Sequence, residues 1–202
     1  MINLGIMAST SGTDMQAIID AIEAKKLNAN ISVVISNKED CYALERARKH
    51  KLKAVFIDAK DKTREEFDKE SAKVLDENKV ELILLIGYMR FLSEWFVNKY
   101  ENKIMNIHPS LLPAFAGNMD KNVHEEVLKH GTKVTGCTLH FVDKGADTGP
   151  IILQKAISID EDETVDTLKD KVQEAEQEII LKAIKLFADG KLKVEGKRVN
   201  IL

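Results

Sequence analysis

The run Leu82-Ile-Leu-Leu-Ile86 decides the fold, because five apolar residues follow one another there without polar alternation. A strand with one face in water alternates, so an unalternated short run predicts a strand buried on both faces, as in a parallel sheet covered by helices. Working outward, similar runs recur at Ile2 to Met7, Ile31 to Ile35, Ala54 to Ile57 and Ile104 to Ile107. The segments between them have helical spacing. Ile18, Ile19 and Ile22 follow Thr13, and Phe67, Ala72, Val74 and Leu75 follow Thr63, with Glu66 placed to complete a capping box. Strand and helix alternating through about residue 110 predict an α/β fold with a doubly wound, mostly parallel sheet.

The texture then changes. Val134 to Val142 and Ile151 to Ile159 read as neighbouring strands around the turn-rich Asp143-Lys-Gly-Ala-Asp-Thr-Gly-Pro150, which predicts an antiparallel C-terminal part. From Thr164 to Phe187, apolar Val165, Leu168, Val172, Ala175, Ile179, Ala183, Ile184 and Phe187 keep the rhythm of one long C-terminal helix. Gly190 and Gly196 bracket a terminal hairpin around Val194 and Val199. No repeat or Pro/Ser-rich linker interrupts the chain, so residues 1–202 read as a single domain.

The 202 residues are 44% hydrophobic and 31% charged, enough apolar material for one core. A net charge of -3 argues against nucleic acid or an anionic membrane as partner and leaves room for a small basic pocket. Cys41 and Cys137 offer neither a disulfide framework nor zinc-ligand spacing and read as core thiols in a reducing compartment. Without a basic leader or an apolar stretch of ~18 residues, the expectation is a cytoplasmic protein.

Ala8-Ser-Thr-Ser-Gly-Thr-Asp-Met15 is a small-residue loop opening a helix, where free amides and the helix dipole suit an anion. Such loops also merely cap helices, and Asp14 would repel a phosphate unless it faced the helix amides. In Asn106-Ile-His-Pro-Ser-Leu-Leu-Pro113, Asn106 and His108 stand two apart on a strand and therefore share a face, while Pro109 ends the strand. An amide and an imidazole thus meet at a strand's carboxyl end, where open α/β sheets keep their ligand sites. Asp147 either makes a turn or, if near His108, holds the imidazolium and raises its pKa. Tyr88, Phe91 and Leu92 in Gly87-Tyr-Met-Arg-Phe-Leu92 suit core packing better than a wall for a flat ligand. His50 and His130, at Lys-rich helix ends, read as solvated; His140 lies in an alternating strand and His124 in an amphipathic helix.

The chain resembles the phosphoribosylglycinamide formyltransferases, the folate-dependent transformylases of purine synthesis. The likeness rests on ordered blocks along nearly the whole length: Ser11-Gly-Thr-Asp-Met-Gln16, Ser36-Asn-Lys38, Leu44-Glu-Arg-Ala47, Gly87-Tyr-Met-Arg90, Asn106 to Pro113, Val134-Thr-Gly136, His140-Phe-Val142, Asp147-Thr-Gly-Pro150 and Phe187-Ala-Asp-Gly190. The resemblance implies a Rossmann-like formyltransferase fold and transfer of formyl from 10-formyltetrahydrofolate to the amine of glycinamide ribonucleotide. It implies Asn106, His108 and Asp147 as catalytic, with Asn106 and protonated His108 stabilising the oxyanion. Gly12, Thr13, Asp14 and Glu176 fall on the ribonucleotide side. Arg64, Met89, Arg90, Phe91, Leu92, Asn106 and Asp143 fall on the folate side. No metal is expected, and a monomer or a homodimer fits.

The sequence departs from the family's pattern at Thr10, Ser11 and Gln177 and in the middle of Ala116 to His124. Two alternatives stand beside the transferase. One is a formyltetrahydrofolate hydrolase, disfavoured because that group usually carries a further N-terminal domain while this sequence opens on its first strand. The other is a non-catalytic folate- or nucleotide-binding homologue.

Overall fold

The computed structural model describes residues 1–117 and 122–202; the altered middle of Ala116 to His124 falls on 118–121, outside the described residues. The chain divides into two compact units, Met1–Asn106 and Ile107–Leu202.

In the first unit the chain alternates as the apolar runs predict: β1 (Ile2–Ala8), α1 (Thr13–Glu23), β2 (Ala29–Ser36), α2 (Tyr42–Lys49), β3 (Ala54–Phe56), α3 (Arg64–Glu77), β4 (Leu82–Ile86), α4 (Glu94–Lys99) and β5 (Ile104–His108), whose last residues enter the second unit. The strands pair in parallel in the order β3-β2-β1-β4-β5. Every residue of β4 is buried, as its unalternated composition requires. The chain winds outward from β1 to β3, then returns to the other side of β1. Right-handed crossovers thereby send α1 with α2 to one face and α3 with α4 to the other, and these pairs pack together. The order reverses between β1 and β4, the switch point at which such sheets place ligands. α3 starts with the expected box: Thr63 Oγ1 accepts from the Glu66 amide and the Glu66 carboxylate accepts from the Thr63 amide.

The second unit holds α5 (Val123–Lys129), β6 (Val134–Phe141), β7 (Ile151–Ser158), α6 (Val165–Ala188), β8 (Leu192–Glu195) and β9 (Arg198–Ile201). β6 and β7 run antiparallel, and β8 and β9 form the terminal hairpin. The long α6 lies on β6 and β7 with Leu168, Val172, Ala175, Ile179, Ile180, Ala183 and Ile184 buried, and α5 packs on it. The β6–β7 register shifts between Leu139 and His140, because Ile152 on β7 has no counterpart on β6. Such a bulge twists a pair and re-aims the side chains beyond it. All of β6 except Val134 is buried, so the alternation read around His140 is absent. Cys41 and Cys137 are buried and form no disulfide, as expected. Among the described residues no helix is long and apolar enough to cross a membrane.

Candidate active site

The centre of the site is His108, 7% exposed at the end of β5. Pro109 terminates the strand, and the following turn is tied to the sheet. Thr138 Oγ1 donates to the Ser110 carbonyl at 2.7 Å and accepts from the Leu112 amide at 3.0 Å, while Gln154 Nε2 donates to the Leu112 carbonyl at 3.1 Å. The Leu112–Pro113 peptide is cis.

The loop after β6 brings the acid. Its backbone folds back so closely that a Cβ on Gly149 would stand 1.7 Å from the Phe141 carbonyl oxygen, and Phe141 donates its amide to Pro150. Asp143 braces the loop by accepting from the Gly145 amide and the Thr148 hydroxyl and by pairing with Lys197 at 2.7 Å. Asp147 itself takes the left-handed conformation, φ 55°. Its Oδ2 lies 3.4 Å from His108 Nδ1 and accepts from the Gly117 amide at 2.9 Å; its Oδ1 lies 3.6 Å from His140 Nε2. Asp147 thus holds its carboxylate beside both imidazole rings from a left-handed position in the loop.

His140 is the residue that the sequence reading missed. It is 2% exposed, its Nδ1 lies 2.9 Å from the Phe141 carbonyl, and both ring nitrogens face acceptors. One carboxylate is thus shared by two imidazoles. Burial alone would raise the Asp147 pKa, but the His140 contact, the Gly117 amide and the His108 ring outweigh it and hold the acid at about 2.

Burial lowers the His108 pKa and His140 adds to the lowering; Asp147 pulls it upward, as does the Phe115 backbone, but they do not offset burial, so the net direction is down, towards the neutral imidazole. Its Nε2 is buried and has no hydrogen-bond partner. With Nδ1 turned to a carboxylate, Nε2 carries the lone pair, as a general base requires. Asn106 is half-buried two residues earlier on β5 and ends the first unit.

In the first unit, Gly12 caps α1 in the left-handed conformation at φ 65°, where a Cβ would also meet Ala43 Cβ at 3.0 Å. Thr13 is half-buried and Asp14 buried. Burial raises the Asp14 pKa to about 6, and its Oδ1 has no partner. Arg64 is exposed at the start of α3 with its guanidinium 5.9 Å from the Phe91 ring centroid. Arg90 lies over the Phe67 ring at 4.4 Å. Met89 and Phe91 are 42% and 43% exposed, which overturns the core-packing reading of Phe91, whereas Tyr88 is buried. An apolar side chain on a loop outside any periodic element carries no burial signal of its own. In the second unit Glu176 is buried on α6.

The other histidines are partly as expected. His130 is exposed and His124 half-buried on α5. His50 is not simply solvated: it pairs with Glu23 at 2.8 Å and lies 3.3 Å from Gln16 Nε2.

Comparison with known proteins adds ancestry to this geometry. The formyl transferase family profile matches residues 2–184. The trifunctional purine biosynthetic protein adenosine-3 of Gallus gallus is 42% identical over 194 residues, covering 96% of this chain, which spans only 19% of that protein. The phosphoribosylglycinamide formyltransferase of Escherichia coli K12 is 36% identical over 197 residues, covering 95% of this chain and 90% of that protein. The crystal structure of glycinamide ribonucleotide transformylase 1 from Symbiobacterium toebii superposes with a TM-score of 0.94 at 43% identity, covering all of this chain and 94% of that one.

Proposed function

Since the chain belongs to the formyl transferase family, we propose that it transfers the formyl group of 10-formyltetrahydrofolate to the amine of glycinamide ribonucleotide, a step of purine synthesis. Relatives bearing the formyltransferase name at 36% identity over most of both chains support this substrate pair over a hydrolase or a non-catalytic homologue. The family match runs through both compact units, which supports treating 1–202 as one formyltransferase domain.

The observation that carries the reaction is the buried, unpartnered Nε2 of His108 on a ring whose Nδ1 faces Asp147. The neutral substrate amine attacks the formyl carbon, and a new C–N bond forms as the carbonyl electrons move to oxygen. Asn106 donates to that oxyanion. His108 Nε2 takes the proton that the attacking nitrogen sheds, and Asp147 stabilises the resulting imidazolium. The imidazolium then protonates the folate nitrogen as its bond to carbon breaks, which leaves the imidazole neutral again.

On the substrate side, Gly12 and Thr13 present α1 amides to the phosphate, with Asp14 beside them, and Glu176 contacts the ribonucleotide. Arg64, Met89, Arg90, Phe91, Leu92, Asn106 and Asp143 serve the folate. A cytoplasmic monomer or homodimer with Cys41 and Cys137 as reduced thiols completes the reading. Purified protein given both substrates is expected to release tetrahydrofolate and formylglycinamide ribonucleotide, and His108→Ala to abolish it. Absence of transfer by the parent protein refutes the proposal.

A further inference from the structure

The segment after β4 shows more organisation than a connecting loop needs. Residues 87–93 have no regular secondary structure and hold Met89 and Phe91 out in solvent, yet both ends are fastened by buried side chains. At the leading end the Ser9 amide donates to the Gly87 carbonyl at 3.0 Å, and Ser9 Oγ accepts from the Met89 amide at 2.9 Å while donating to Asn37. At the trailing end Asp68 Oδ2 accepts from the Ser93 amide at 2.5 Å. Ser93 in turn caps α4 by accepting from the Phe96 amide.

Asp68 is the unusual peg. It sits in the second turn of α3, 1% exposed, and a carboxylate is costly to bury. Around it lie the Arg90 guanidinium, stacked on Phe67 one residue before Asp68, and the Tyr88 hydroxyl. Asp68 Oδ1, Tyr88 Oη and Arg90 Nε are all buried without hydrogen-bond partners. A core chosen for stability alone would fill this place with apolar groups. Retaining an acid there makes sense if the geometry of residues 88–92 matters more than the cost.

Resting on the assignment of Met89 to Leu92 to the folate side, we infer that Asp68 is a positioning residue for the formyl donor, acting through the amide of Ser93. It touches no substrate. By fixing where the segment ends, it holds the backbone and exposed apolar side chains of 89–92 ready for the flat heteroaromatic part of the donor, so ordering them is not charged against binding.

Steady-state kinetics on the full chain test this with Asp68→Ala, Asp68→Asn and Asp68→Leu, alongside thermal melts. Asp68→Ala is expected to raise the donor KM about tenfold, the size of one lost buried hydrogen bond to a charged acceptor, while kcat and the KM for the amine substrate stay within about twofold. Asp68→Asn keeps an acceptor for Ser93 and is expected to restore the donor KM. If Asp68→Ala does not fold, Asp68→Leu carries the test: it fills the same volume without an acceptor for the Ser93 amide and is expected to raise the donor KM by the same factor of about ten. An unchanged donor KM in the folded variant, equal effects of Ala and Asn, or a uniform loss in kcat overturns the inference. Phe91→Ala separates it from the reading beneath: a donor KM raised by Phe91→Ala but unmoved by Asp68→Ala overturns the inference alone. A donor KM that Phe91→Ala leaves unmoved overturns the folate-side assignment and the inference with it.

Discussion

The Asp147 carboxylate faces Nδ1 of His108 at 3.4 Å and leaves the ring's other nitrogen buried and bare. In the proposed mechanism this pairing sets which nitrogen reacts. Asp147→Asn is expected to lower kcat on the order of 100-fold, since the imidazolium loses its counter-charge. Asp147 pulls the His108 pKa upward, so its removal also moves the acid limb of the pH–rate profile to lower pH. A limb displaced upward would contradict the assignment.

In the parent protein, burial leaves the His108 pKa below the ordinary 6.5. A base acts when neutral, so kcat should rise with pH through a midpoint below pH 6.5. Single-turnover rates between pH 4.5 and 8, as roughly spaced points across the imidazole range, give the profile.

Asp14 and Asp147 make opposite contributions to stability. Burial raises the Asp14 pKa from 3.8 to about 6, so the folded state holds its proton more tightly than the unfolded one and loses stability as pH rises through that window. Asp14→Asn should therefore gain roughly 2 kcal/mol at pH 7 and nothing at pH 3. Asp147 is held at about 2, so its stabilisation is complete above about pH 4 and is lost as pH falls towards 2. Urea titrations at a series of pH values distinguish the two.

Gly149→Ala should remove activity with only a modest change in the melting temperature. A Cβ there lies 1.7 Å from the Phe141 carbonyl oxygen, so the loop must lift and carry Asp147 with it. A fall in kcat of about 100-fold or more is expected, and turnover within about threefold of the parent would show that the loop has slack.

His140→Phe keeps the buried volume while removing the contact to Asp147 Oδ1. A drop in kcat of roughly tenfold is expected, accompanied by a rise in the Asp147 pKa, because one of the groups holding it down is gone. Carboxyl titration by NMR reads that shift directly.

Much of the fold was legible because it is written locally. Unalternated runs such as Leu82 to Ile86 and the capping pair Thr63 and Glu66 declare their elements within a few residues. His108 was visible through its strand-end position, and its partner Asp147 through family likeness. What stayed hidden depends on chain reversal and burial. Nothing near His140 says that a loop nine residues long will return to it, nor that Ile152 lacks a counterpart. The direction of the His108 pKa is set by desolvation, which no sequence window measures. Phe91 read as core because hydrophobicity reports what a side chain would prefer, not where a tethered backbone holds it.

The unmatched Ile152 on β7 has a consequence for how this protein can vary. Deleting it would bring the ladder back into phase, a change a stability screen would welcome, yet it would rotate the last rungs of the pair and swing the imidazole at 140 out of line with its acid. Loss of one surplus residue could thus yield a sturdier protein that no longer turns over, so that corner of the sheet is where selection for robustness and selection for chemistry pull apart.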